Sequence, residues 1–177
     1  MPHLVRPDEG LRVSFLEAVD ENVAEGDLFG DTLKRELDVY GGAWREPDGF
    51  ARYVAAVREQ ELEEGGRPDG FVPASWFWYV DEGVYLGRIQ VRHRLTPFLR
   101  DLGGHIGYGV RPSARRNGHA TAMLGDVLPH ARALGLDQVL VTCDTTNTAS
   151  RKVIEANGGR LEDERGGKLR FWIRTHP

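Results

Sequence analysis

The sequence predicts a mixed α/β (α+β) fold, a central sheet packed by helices within one domain. Three observations carry this reading. Apolar residues recur at helical spacing in the N-terminal third, and the middle of the chain switches to strand-like alternation about a tight turn. The C-terminal third then runs strand, helix, strand, helix and two closing strands. A length of 177 residues suits one sizeable core and not two independent ones.

The elements follow in order. Leu11, Phe15, Leu16, Val19 and Val23 form a helical stripe over residues 11–24, with Pro7 and Asp8 as start signals and Gly26 as the stop. A second helix begins after Asp48, places Phe50, Tyr53, Val54 and Val57 on one face, and runs out at Gly65 and Gly66. The connection between them, residues 25–49, is long for a helix–helix link, and residues 32–39 within it also read as helix. Residues 75–80 are aromatic and β-prone, Asp81, Glu82 and Gly83 make a turn, and residues 84–94 alternate. Tyr85, Ile89 and Val91 are expected on one face and Arg88, Gln90, Arg92 and Arg94 on the other, a hairpin with one buried face. A connection over 95–102 leads to a short strand at 105–110.

Beyond it, Ala120, Met123, Leu124, Val127, Leu128, Ala131 and Leu134 mark a helix ended by Gly135. Residues 138–143 are a nearly continuous apolar strand of the kind found inside a sheet. A helix over 148–156 stops at Asn157, Gly158 and Gly159. Strands near 160–164 and 168–174, joined by Gly166 and Gly167, close the chain.

Composition excludes several functions. The formal net charge of -4, with both signs interspersed, argues against a basic nucleic-acid surface. A single cysteine, Cys143, excludes an internal disulfide framework and a Cys-rich zinc site, and no metal is expected. Residues 1–10 are charged and do not read as a signal peptide, and no apolar run is long enough to span a membrane. The expectation is a soluble, cytoplasmic protein.

The informative segment is Val110, Arg111, Pro112, Ser113, Ala114, Arg115, Arg116, Asn117, Gly118, His119, Ala120 and Thr121. A strand ends, a Pro-containing turn follows, and a Gly-bearing basic loop opens into an amphipathic helix. The first turn of a helix leaves backbone N–H groups unpartnered at the positive end of its dipole. Gly118 lets an anion approach the main chain, and Arg115 and Arg116 bring formal charge beside it. This is a candidate pyrophosphate cradle, and equally an ordinary polar turn. The lysine of a P-loop and the first glycines of a dinucleotide fingerprint are missing, so ATP and NAD are poor ligands for it.

At these residues the chain resembles the GNAT N-acetyltransferases. Their signature, Arg/Gln-x-x-Gly-x-Gly/Ala at a strand-to-helix junction, is matched by Arg115, Gly118 and Ala120. Val110 and Pro112 before it, the strand at 138–143, and Asn147 leading the next helix fit as well. The match is firm over about residues 84–175 and architectural before that. The resemblance implies a mostly antiparallel sheet with a splayed parallel strand pair, 105–110 and 138–143, and helices on both faces. It implies acetyl-CoA as acyl donor, with pyrophosphate on the main chain of Arg116, Asn117, Gly118, His119, Ala120 and Thr121. The pantetheine arm would lie along Tyr108, Gly109 and Val110, and Asn147 and Ser150 would contact the cofactor. For Asn147 the other reading is a simple helix cap.

The implied reaction is direct attack by a primary amine on the acetyl group in a ternary complex. It needs a neutral amine, donors for the oxyanion, and help for the departing thiolate. Many family members place a tyrosine seven residues after the asparagine, where this chain has Ile154. Ser150 and Tyr108 are the substitute candidates for the acid, and His105 is the candidate base. Cys143 is expected to pack in the core.

The acceptor, a small-molecule or peptide amine, is expected under the first inter-helix connection. There Glu25, Asp27, Asp31, Glu36 and Asp38, with Tyr40 and Trp44, would seat a cation unless they form a solvated helix face. Residues 170–173 are apolar enough to join a homodimer and equally suited to an intramolecular role. Two alternatives stand beside the enzyme: a catalytically weak CoA-binding or regulatory module of the same fold, and an acyltransferase using another acyl-CoA.

Overall fold

The computed structural model describes residues 1–28 and 31–176. In chain order the elements are β1 (His3–Val5), α1 (Arg12–Glu25), α2 (Asp31–Tyr40), α3 (Pro47–Glu59), β2 (Ala74–Asp81), β3 (Val84–Arg92), β4 (Ile106–Val110), α4 (His119–Ala133), β5 (Gln138–Asp144), α5 (Thr148–Ala156), β6 (Arg160–Arg165) and β7 (Lys168–Arg174). The strands form one seven-stranded sheet in the order β1-β2-β3-β4-β5-β7-β6, antiparallel throughout except for β4 with β5.

Helices cover both faces. On one, Met123, Leu124, Val127 and Ala131 of α4 and Ile154 of α5 pack with Phe77, Ile89, Val141 and Phe171. On the other, Phe15, Val19, Trp44, Phe50 and Tyr53 pack with Trp76, Trp78 and Tyr85. The Phe15 ring stacks on Trp78 at 4.9 Å between centroids and meets Tyr85 edge-on at 5.2 Å, so α1 is anchored to the hairpin by aromatic contact.

Five expectations are settled or changed here. The long connection carries α2, which makes the helical reading of 32–39 the correct one. Strand β1 was not anticipated; three residues with one flanking histidine give no alternation to read, and pairing with β2 decides it. The hairpin buries both faces, because a sheet clothed in helices on each side has no solvent face: Arg88 and Gln90 are buried as well as Ile89 and Val91. Tyr85 lies on the face opposite Ile89. The register steps from Tyr79 opposite Gly87 to Val80 opposite Tyr85, leaving Leu86 as an extra residue, and that bulge turns Tyr85 over. Finally, β7 is paired on both edges, to β5 and β6, so residues 170–173 serve the intramolecular role and offer no free edge to a second copy.

One relationship positions the site. The β4–β5 register is a single partner pair, Ile106 with Val141, whereas β3 and β4 share five. The parallel strands therefore diverge from Gly107 onward, leaving that side of β4 without a neighbouring strand.

Candidate active site

The divergence opens into a cleft of about 1180 Å³. β4 and the end of β5 form one wall, and α1, α2 and the loop at 66–72 form another. Tyr108, Gly109, Val110, Arg115, Asn147 and Ser150 all line it. Residues 116–121 lie outside the lining, exposed or half-buried.

At that end the chain makes a 3-10 turn, Pro112–Ala114, and enters α4 at His119. Gly118 is the N-cap and makes no side-chain capping bond. Its φ of 81 is a left-handed conformation, while a Cβ there would meet nothing within 4 Å. Backbone freedom, not space, is what the glycine supplies. The first helical bond runs from Ala122 N–H to Gly118 C=O, so the N–H groups of His119, Ala120 and Thr121 lack intrahelical partners. Arg116, also left-handed at φ 64, is exposed and has no ion-pair partner among the described residues. Asn117 turns its Nδ2 to the Ala114 carbonyl, and the His119 ring meets Tyr79.

Arg115 does not bring a free charge. Its guanidinium donates to Glu25 at 2.8 Å, to Asp27 at 2.7 Å and to the Val110 carbonyl at 3.1 Å. It clamps the loop to the end of α1. Glu21 adds a second brace, accepting from the Arg111 guanidinium and from the N–H and hydroxyl of Ser113. The bond to Arg111 holds the Glu21 carboxyl down at about 2, against the cost of burial.

At the other end, two hydroxyls meet. Tyr108 Oη and Ser150 Oγ are 2.6 Å apart, and both residues line the cleft beside Cys143. Burial pushes the Tyr108 phenol up, the Ser150 bond pulls it part of the way back, and the result is about 12. Asn147 caps α5, its Oδ1 accepting from Ser150 N–H at 3.0 Å. Its Nδ2 has no intramolecular acceptor among the described residues. Both readings of Asn147 are thus compatible in one side chain. Ile154 is fully buried against the sheet, so α5 has no phenol there. The one beside Ser150 comes from β4 instead.

His105 stands apart. It is buried outside the cleft lining, and its Nδ1 accepts the Leu140 N–H at 2.9 Å, which leaves the proton on Nε2. Burial, with Arg100 and Arg92 nearby, pushes it down to about 4. The reading of His105 as a base finds no support in this placement: a histidine opening a β-strand pairs with the neighbouring strand's backbone.

The family described as "Acetyltransferase (GNAT) domain" matches residues 20–160. The chain belongs to the GNAT acetyltransferases. Among solved structures, this GNAT chain is similar to RimJ of Mycobacterium smegmatis in complex with CoA-disulfide, at 21% identity and a TM-score of 0.64, covering 98% of this chain and 81% of that one. The yncA protein of Salmonella typhimurium, a putative acetyltransferase with acetyl-CoA, is 12% identical with a TM-score of 0.58, covering 99% and 94%. An acetyl transferase of Salmonella typhimurium that modifies the N-terminal serine of ribosomal protein L7/L12 is 16% identical with a TM-score of 0.57, covering 97% and 92%. These likenesses extend the GNAT fold over the whole chain. A search of curated proteins finds no match.

The end of the cleft beside α2 departs from its acidic expectation. Asp31, Asp38 and Tyr40 line it, but Trp44 is fully buried in the aromatic cluster. Glu25 and Asp27 are committed to Arg115. Glu36 accepts two bonds from buried Arg88, at 2.7 and 2.9 Å, and one from Tyr53. Burial opposes the Arg88 charge, and Glu36 overcomes that and holds it above the usual arginine range. Gln90, Arg92 and Arg111 also line the cleft and were not singled out as site residues in the sequence. The polar face that Gln90 and Arg92 share on β3 was visible there, but it read as solvent-facing.

Proposed function

We propose that the chain is an acetyl-CoA-dependent N-acetyltransferase that transfers the acetyl group to a primary amine by direct attack in a ternary complex. The observation that carries this is the Tyr108–Ser150 hydroxyl pair in the cleft at the divergence of β4 and β5. The residues present fit the donor. The open side of β4 from Gly107 to Val110 offers backbone to the pantetheine amides in the manner of an added strand. The N–H groups of His119, Ala120 and Thr121, with Arg116, suit the pyrophosphate, and Asn147 Nδ2 is a further donor. Acetyl-CoA supplies an acyl group already activated as a thioester.

Counting protons defines the role of the pair. Two hydroxyls carry two protons, and one is used in the bond between them; when Tyr108 donates, the Ser150 proton is left for the substrate, and when Ser150 donates, the Tyr108 proton is shared between the substrate and the Ser150 carbonyl at 3.4 Å. A phenol at about 12 is a weak full-proton donor to a thiolate whose own pKa is about 8.5. Tyr108 and Ser150 therefore act by donating a hydrogen bond to the departing sulfur as its charge develops, and the phenol stays protonated across the working pH range. No proton is routed through His105. This pair also favours the enzyme over an inactive CoA-binding module, for which the isoleucine at 154 was the main argument.

The test is a panel of amines with acetyl-CoA, read by thiol release and by the mass of the acetylated product, alongside thermal shift with acetyl-CoA, CoA and longer acyl-CoAs. Acetyl-CoA is expected to raise the melting temperature and an amine to release thiol. No stabilisation by acetyl-CoA and no thiol with any amine would overturn the proposal.

A further inference from the structure

The cleft holds a polar group that the fold leaves unused. Gln90 is 7% exposed, lines the cleft, and its carboxamide has no hydrogen-bond partner among the described residues. The residue is buried but its amide opens onto the cleft, so both its donor and its acceptor are available to a group held there. Arg92, two residues on and therefore on the same side of β3, is half-buried in the same lining. Its Nη1 donates to the carbonyls of Gly103 and Gly104, both at 3.0 Å, which fixes the plane of the guanidinium. Nη2 has no acceptor, and no carboxylate pairs with Arg92 among the described residues.

A second cation faces the same space. Arg35 on α2 lines the cleft, rests over the Phe71 ring at 5.0 Å, and likewise lacks a carboxylate among the described residues. Burial and the Arg35 charge push Arg92 down to about 10, as two like charges with no anion between them should. Gly107 places this group relative to the chemistry. A Cβ on Gly107 would lie 3.1 Å from Gln90 Nε2 and 3.6 Å from Arg92 Nη2, so both side chains end over the point where β4 leaves β5.

We infer that Gln90, Arg92 and Arg35 form an acceptor subsite for a carboxylate, so that the amine substrate carries an acidic group held beside the acyl donor. The inference rests on the proposed acetyl transfer and names its acceptor class. A carboxamide, a guanidinium held by two carbonyls and an exposed arginine suit a carboxylate, whereas of the acidic residues expected to make a cationic seat Glu25, Asp27 and Glu36 are already paired, leaving Asp31 and Asp38 in the lining. The carboxylate belongs either to a free amino acid or to an acidic residue next to a peptide amino terminus.

Matched acceptors separate these sources and test the site. L-alanine is compared with L-alaninamide, and the amide of Ala-Glu with the amide of Ala-Gln, by thiol release with acetyl-CoA and by calorimetric titration in the presence of CoA. In at least one pair the carboxylate member is expected to be preferred by about tenfold or more. Arg92→Gln is expected to abolish that preference through KM, Arg92→Lys to restore part of it, and Arg35→Gln, at an exposed position, to weaken it. Acetyl-CoA stabilisation in the thermal shift should persist in all three, which separates a folding defect from loss of the subsite. Equal turnover or equal binding within both pairs would overturn the subsite while leaving acetyl transfer intact. Absence of thiol release from any amine would overturn the transfer reading, and the titration would still decide whether the carboxylate is bound.

Discussion

Tyr108 Oη lies 2.6 Å from Ser150 Oγ, joining the middle of β4 to the first turn of α5 across the opening between β4 and β5. In the proposed reaction the pair would supply the donor that the buried Ile154 does not. Tyr108→Phe is expected to lower kcat by about 100-fold, the lower end of the range for losing a hydrogen-bond donor to a developing charge, with little change in KM for acetyl-CoA. Ser150→Ala should cost less, because the Tyr108 phenol then donates directly. Steady-state kinetics of both variants and the double variant checks this, and additive effects would indicate two independent roles.

The same phenol sets an expectation for pH. Because it titrates at about 12, deprotonation of Tyr108 should not cut activity below pH 11. A kcat profile in which a basic limb appears near pH 9 and vanishes in Tyr108→Phe would contradict this placement.

His105 contributes to acid stability. Its folded value of about 4 lies below the ordinary 6.5, so the unfolded chain takes up the proton first. The stabilisation is fully present above pH 6.5 and is lost as pH falls from there to about 4, by on the order of 3 kcal/mol in all. His105→Asn keeps an acceptor for the Leu140 N–H without a titrating ring. Urea denaturation at pH 7 and pH 4.5 should show a smaller difference for this variant than for the unaltered protein.

Glu36 and Arg88 are a buried pair, with side-chain exposures of 13% and 6%. Glu36→Gln leaves the Arg88 charge without its carboxylate and is expected to cost about 3–5 kcal/mol. Arg88→Met with Glu36→Leu removes both charges and should recover most of that. Denaturant midpoints for the single and double variants measure it. Charge reversal at Glu36 would therefore read folding before it read acceptor attraction.

Gly118 tests the anion loop. Gly118→Ala meets no atom within 4 Å but must hold φ near 81, so a loss of about 1–2 kcal/mol is expected, with Gly118→Asn milder. Thermal melts with and without acetyl-CoA distinguish a backbone cost from loss of the cradle. Only the latter reduces the shift that ligand produces.

The regular part of the chain was legible because periodicity reports burial where one side of an element is covered. The helix at 148–156 and the strand at 138–143 are local patterns, and the structure keeps them within a residue. Alternation in β3 was equally visible, yet Arg88 lies under α2 paired with Glu36, and Gln90 and Arg92 line the cleft rather than an outer solvent face. Period two separates two faces; it cannot say what covers each. The Leu86 bulge that turns Tyr85 over arises from pairing between strands and has no signature in either strand alone.

By itself the sequence determined the family, the order of most elements and the glycine that opens α4. These depend on neighbours in the chain: a glycine able to take positive φ, a helix start, a strand before it. Tertiary structure alone decided which charges are free and which hydroxyls meet. Arg115 is neutralised by Glu25 and Asp27, some 90 positions away along the chain. Ser150 finds Tyr108 across 42. Arg92 and Arg35 pair with no carboxylate among the described residues. The interactions that set charge and proton position fall off with distance in space, and folding, not sequence order, fixes that distance.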